Sequence, residues 1–335
     1  VRVQFDYRDA DLAFLLAHDT DLFNRWEAGQ ELARRALFRC VAAHQQGGAM
    51  HVSDEVSGAF AALLRQADPD KALVAEVLTL PDEAYLADLM AAPVDPDAIH
   101  AARNHLRRHL AEVLRDDFAA VYRANQDSGA YTVTPEAIAR RRLKNLSLAY
   151  LVTLGDAEGL ASAREQLAAA ANMTDRLGAL RPLVAEGHPG AEEALEQFYQ
   201  QWQDEAEVVD KWFALQAGSP ALGSLERVQN LMAHPAFSFK NPNKVRALLG
   251  AFARGNPVRF HEASGAAYTF FADQVLRMDG INPQMASALA RVFSRLGRYD
   301  DHRQGLMRQE LERIRQAPEL SRDTYEIVAK SLEAS

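Results

Sequence analysis

Cysteine is almost absent from this sequence: Cys40 is the only one in 335 residues. An intramolecular disulfide, a Cys-x-x-Cys redox pair and a thiolate zinc site are therefore excluded. No stretch approaches the roughly 18 uninterrupted apolar residues that a membrane helix needs, so no membrane partner is expected. Positive charge is also scarce, Lys+Arg 37 against Asp+Glu 46 for a net charge of −9. A surface that tracks phosphates needs the opposite balance, so no nucleic-acid partner is expected. Nucleophile elbows, Walker loops and dinucleotide-binding glycine fingerprints are missing too. What is present is 48% apolar and 25% charged residues, the balance of a folded soluble chain. The opening Val1-Arg2-Val3-Gln4-Phe5-Asp6-Tyr7 has no apolar core of a signal peptide, and no methionine begins it. The expectation is a piece of a longer polypeptide, in a reducing, cytoplasmic setting.

Those first residues alternate with period two and predict one short strand. After Asp9 the apolar spacing changes to threes and fours and stays there. Leu143, Leu146, Tyr150 and Leu154 make one stripe; Met285, Leu289, Val292 and Leu296 make another. Asp95-Pro96-Asp97 and Thr134-Pro135-Glu136 put a capping side chain before a first-turn proline, with an acid that suits the helix dipole. Gly47-Gly48, Gly129, Gly187 and Gly218-Ser219-Pro220 read as stops. About seventeen helical segments are predicted, the longest over roughly 96 to 125. Many short helices without a sheet must bury their stripes on one another. The predicted fold is all-α, an irregular, solenoid-like superhelical array of antiparallel helix pairs after one terminal strand. No fixed repeat period is found.

Candidate chemistry is sparse. His105 and His109 lie one helical turn apart, with Glu112 on the same stripe. From i to i+7 spans about 10.5 Å along a helix, too far for three donors around one zinc, and a solvated polar face is the favoured reading. His261-Glu262-Ala263-Ser264-Gly265 begins like a His-Glu-x-x-His zinc helix but has Gly265 where the second histidine belongs. Cys40 reads as a small buried residue, and Arg140-Arg141-Arg142 as a solvated basic face. Asn172-Met173-Thr174-Asp175 reads as a turn plus helix cap, and Val208 to Phe213 as a core helix with Asp210 and Lys211 on its wet side. Lys244 and Arg246, following Asn241-Pro242-Asn243, oppose the dipole of the helix they begin. That conflict marks both as candidates for binding a partner or substrate.

These clusters carry a family resemblance. Asn172-Met173-Thr174-Asp175, Asp210-Lys211-Trp212-Phe213-Ala214-Leu215-Gln216, His234-Pro235-Ala236-Phe237-Ser238 and Asn241-Pro242-Asn243-Lys244-Val245-Arg246 resemble, in order, the C-terminal region of bacterial aminopeptidase N. Asn282-Pro283-Gln284, Arg298-Tyr299-Asp300 and, near the start, Phe23-Asn24-Arg25-Trp26-Glu27-Ala28 fit the same family of zinc metalloaminopeptidases. The resemblance implies that residues 1–8 end a preceding β-sandwich and that 9–335 form the C-terminal helical superhelix domain. It further implies that this domain caps the catalytic domain and walls the chamber where peptides with a free N-terminus bind. The Zn2+ site and the His-Glu-x-x-His helix are then expected in the upstream catalytic domain, leaving this segment without catalysis of its own. Gln284 and Arg246 match positions that line the chamber. Family members often carry arginine at the position of Ala288; Arg291, seven residues after Gln284, is expected to compensate. The alternative is a stand-alone helical-repeat module that binds a peptide or protein.

Overall fold

The computed structural model describes residues 6–66, 70–127 and 129–333. Every regular element among them is a helix. The predicted strand lies largely outside the described residues, and Asp6 to Arg8 belong to no regular element. Contacts divide the chain into two compact units, residues 6–86 with 97–183 and residues 87–96 with 184–333.

In the first unit, Asp9–His18 and Leu22–Gln45 form an antiparallel hairpin that buries Leu12, Leu16, Leu32, Leu37 and Cys40. Asp54–Leu64 and Lys71–Leu78 pack beside it. The long predicted helix exists with a break: Pro96–Val113 and Arg115–Ala124 meet at Leu114, where φ is −109° and ψ 20°. No proline or glycine causes this. Leu114 and Phe118 are both buried, and Phe118 stacks at 4.3 Å on Tyr150, whose hydroxyl donates to the Leu78 carbonyl at 2.7 Å. Arg115 donates to Asp156 at 2.9 Å and Glu158 at 2.8 Å. The bend is imposed by what each half packs against.

The helix Pro135–Leu154 starts as predicted, with Thr134 Oγ1 accepting from the Ala137 N–H at 3.3 Å, and it stops at Gly155, whose φ of 70° suits glycine. Leu148 and Val152 from this helix meet Ala163, Ala179 and Leu183 in one cluster. Close approach sets the next turn: a Cβ on Gly159 would sit 2.6 Å from the Leu151 carbonyl oxygen.

The second unit is built around aromatic side chains. Phe260 touches Phe252, Tyr268, Phe271 and Phe293, all fully buried. Its helices are shorter than predicted, some only four residues, such as Pro257–Phe260. Asp279 accepts from the Ser321 N–H at 2.8 Å and from the hydroxyls of Ser321 and Thr324, which ties down the helix Arg322–Glu333. Arg298 donates to the carbonyls of Ala87, Asp88 and Met90, and its own carbonyl accepts from Val94 at 2.7 Å. These bonds hold segment 87–96 within the second unit.

Candidate functional site

The helix bearing Arg246 is not regular. Asn241 caps it by accepting from the Asn243 N–H at 2.9 Å, and Pro242 occupies its first position. After Pro242–Val245 comes a π-helical stretch, Arg246–Gly250, and then Ala251–Gly255. The Ala251 N–H reaches back five residues to the Arg246 carbonyl. Such a wide turn inserts one extra residue and is frequent at functional sites. Val245, Leu248, Leu249 and Phe252 face the core, whereas Arg246 is exposed and donates only to Asn243 Oδ1, at 3.1 Å, among the described residues.

Lys244 departs from the expectation that it binds a partner. It is buried, its Nζ lies 2.9 Å from Asp210 Oδ1 and donates to the Ala206 carbonyl at 2.9 Å, and it sits 5.7 Å above the Phe213 ring. The charge that opposes the helix dipole is balanced by a neighbouring helix, not by a ligand. Asp210 is correspondingly not a wet-face charge.

Gln284 and Arg291 lie at opposite ends of the next relevant element. Asn282 accepts from the Met285 N–H at 3.0 Å and starts the helix Pro283–Ala290, which Arg291–Phe293 continues as a 3₁₀ turn. Met285, Leu289 and Phe293 are buried, while Gln284 and Arg291 are exposed. Among the described residues no hydrogen bond or ion pair joins Arg246, Gln284 and Arg291 to one another. The link between the two elements is Arg254, whose Nη2 donates to the Ala288 carbonyl at 3.1 Å. An arginine from another helix thus bonds the main chain at Ala288. Sequence reading missed Arg254 because nothing local connects residues 34 apart.

The remaining candidates have structural partners. His109 Nε2 is 2.9 Å from Ser57 Oγ, and the His105 and His109 rings stack at 6.5 Å. Among the described residues no group of three His, Cys, Asp or Glu could hold a metal ion. His261 is buried between Tyr268 OH at 2.8 Å and Tyr299 OH at 2.9 Å, and burial, with Arg303 nearby, pushes its imidazole down to about 3. Burial raises the Cys40 thiol, which donates weakly to the His51 carbonyl. Asn172 caps its helix by accepting from the Asp175 N–H at 2.9 Å, and Asp175 pairs with buried Lys144 at 2.9 Å. Within the basic run Arg142 is on the solvated face as expected, and Arg141 is not. Arg141 is buried, with its guanidinium bonded to the Thr132 carbonyl and set over Tyr131; Arg140 pairs with Asp127 and Arg142 with Glu76.

A family model described as a domain of unknown function (DUF3458_C) with ARM repeats matches residues 9–333. Over 333 residues the chain is 41% identical to aminopeptidase N of Caulobacter vibrioides. Over 335 residues it is 40% identical to aminopeptidase N of Escherichia coli. Each match covers 99% of this chain and 38% of the relative. The structure of Legionella pneumophila aminopeptidase A in complex with aspartic acid is similar with a TM-score of 0.87 at 31% identity, over 99% of this chain and 39% of that one. The chain therefore spans less than two fifths of these relatives and corresponds to their C-terminal portion.

Proposed function

We propose, since this chain belongs to the DUF3458_C family of ARM-repeat domains, that it serves as the C-terminal domain of an aminopeptidase and walls the chamber in which peptides are cut. The residues from Asp9 onward are that domain. The observation carrying this reading is the match of 99% of the chain to a 38% share of aminopeptidase N. A wall needs no reactive group of its own. It excludes folded proteins, limits water and aligns the peptide.

The zinc that the family resemblance implies does not fit the residues present here, because no three donors converge among those described. On this reading the ion belongs to the catalytic domain of the same polypeptide. What this chain supplies is a small set of exposed polar groups. Arg246, Gln284 and Arg291 line the chamber, with Arg254 holding the Ala288 carbonyl between them. Guanidinium groups suit the carboxylate and carbonyls of the departing peptide. The substrates are peptides with a free N-terminus. No helix among the described residues is long and apolar enough to cross a membrane, and the working location is the cytoplasm.

The test is to express the chain alone and joined to its own upstream polypeptide, then measure aminoacyl-anilide hydrolysis and zinc content for both. Both properties are expected in the joined protein and neither in the chain alone. Hydrolysis by the chain alone that survives chelation overturns the reading. So does a tight stoichiometric peptide complex formed by the chain alone, the behaviour of a stand-alone binding module.

A further inference from the structure

The cluster Phe23-Asn24-Arg25-Trp26-Glu27-Ala28 contributes nothing to the chamber residues above, yet the structure presents it conspicuously. Asp9–His18 and Leu22–Gln45 meet at a short turn, Asp19 to Asp21. Around that turn Phe14 is 63% exposed, Leu22 49% and Phe23 64%. Among the described residues only Val133 is a large apolar side chain more exposed than these two phenylalanines. Exposed apolar residues scattered singly need no explanation, but three that flank one turn, Phe14 on the helix before it and Leu22 and Phe23 on the helix after it, mark a surface that something covers. The tip is also held firmly. Arg25 Nε donates to the Leu16 carbonyl at 2.7 Å across the hairpin, and Asp21 caps its helix through the Asn24 N–H at 2.9 Å. The rings rest on neighbours, Phe14 at 4.7 Å from His18 and Phe23 at 5.6 Å from Trp26.

We infer that this hairpin tip docks on the domain that immediately precedes the chain in the longer polypeptide, an inference that rests on the proposed function. The relatives match through their C-terminal portion, so most of their length lies ahead of Asp9. The first helix has 10 residues, about 15 Å from start to tip at 1.5 Å per residue. A domain of about 100 residues has a radius of gyration near 13 Å. A domain joined just before Asp9 therefore reaches the tip without a long linker. Asp21 and Glu27 are exposed beside the apolar patch, so the covering surface is an apolar face with a basic rim.

Hydroxyl-radical footprinting of the chain alone and of the longer polypeptide tests this directly, with buried Phe118 as internal reference. In the chain alone Phe14 and Phe23 oxidise several times faster than Phe118; in the longer polypeptide their rates fall to nearly its level. The double variant Phe14→Ser/Phe23→Ser leaves the thermal midpoint of the chain alone unchanged and lowers that of the longer polypeptide. Unprotected rings in a longer polypeptide that is an active aminopeptidase overturn the docking and leave the function standing. Protected rings in a longer polypeptide with no aminopeptidase activity support the docking and remove the function. Protection that appears in the chain alone as its concentration rises assigns the patch to a second copy and overturns the inference.

Discussion

Lys144 brings its charge into the interior of the first unit and meets Asp175 there at 2.9 Å, with Asn145 and Asn172 donating to the same carboxylate. Removing only the lysine leaves that carboxylate buried and short of a cation. Lys144→Met should cost about 3–5 kcal/mol in denaturant unfolding, and Lys144→Met/Asp175→Leu much less than the sum of the two single changes. His261 makes a different commitment. Its imidazole stays neutral down to about 3, against an ordinary value of 6.5. Between those values the unfolded chain takes up a proton that the folded chain refuses. Stability is therefore lost as pH falls from about 6.5 towards 3, by up to about 1.4 kcal/mol per pH unit from this residue, with no contribution above 6.5. The His261 ring resonances should accordingly show no titration between pH 7 and 4. Residue for residue, many clusters that make the sequence recognisable prove to be structural. Asp175 closes a buried network, Lys244 anchors a helix, and Arg298-Tyr299-Asp300 bind loop carbonyls, His261 and a helix start in turn.

At the level of elements, glycine shows how local the rules of packing are. Gly58 lies exposed in the helix Asp54–Leu64 with open space around its missing Cβ, whereas Gly159 abuts the Leu151 carbonyl. Gly58→Ala should stabilise by about 1 kcal/mol through helix propensity. Gly159→Ala should destabilise by about 1–3 kcal/mol because backbone cannot yield; thermal midpoints of the two variants should move in opposite directions. Helix starts were legible because Thr134-Pro135 and Asn241-Pro242 carry their capping chemistry in adjacent residues. The bend at Leu114 was not, since Phe118, Tyr150 and Leu78 produce it from distant parts of the chain. The same holds for His261, where Tyr268 and Tyr299 turn an incomplete zinc motif into a core hydrogen-bond pair. Arg141 looked like one of three equivalent surface charges, and only its contact with Thr132 and Tyr131 sets it apart.

For the whole molecule, resemblance points to the exposed polar set that the proposed function uses, and the sequence is silent on the link between the two elements that carry it. Gln284 and Arg246 could be placed by resemblance, but Arg254 reaches Ala288 only through the fold. On the proposed function, Arg246→Ala and Gln284→Ala in the longer polypeptide should each raise KM for peptides by about tenfold, the worth of one charge-assisted hydrogen bond of about 1.5 kcal/mol. Zinc content should stay the same, because these side chains do not approach the metal on the proposed reading. Steady-state kinetics with peptides of increasing length, alongside metal analysis, checks both statements.

The wide turn at Arg246–Gly250 has a consequence for how this stretch can vary. Lys244 is fastened on one side of it and Arg254 on the other, to different neighbours. Each residue added or removed between two such anchors swings one against the other by about 100°. Spacing is therefore the quantity under constraint: exchanges of side chain at 247 or 250 are tolerable, whereas dropping a single residue would unhook one anchor or the other and point Arg246 somewhere else.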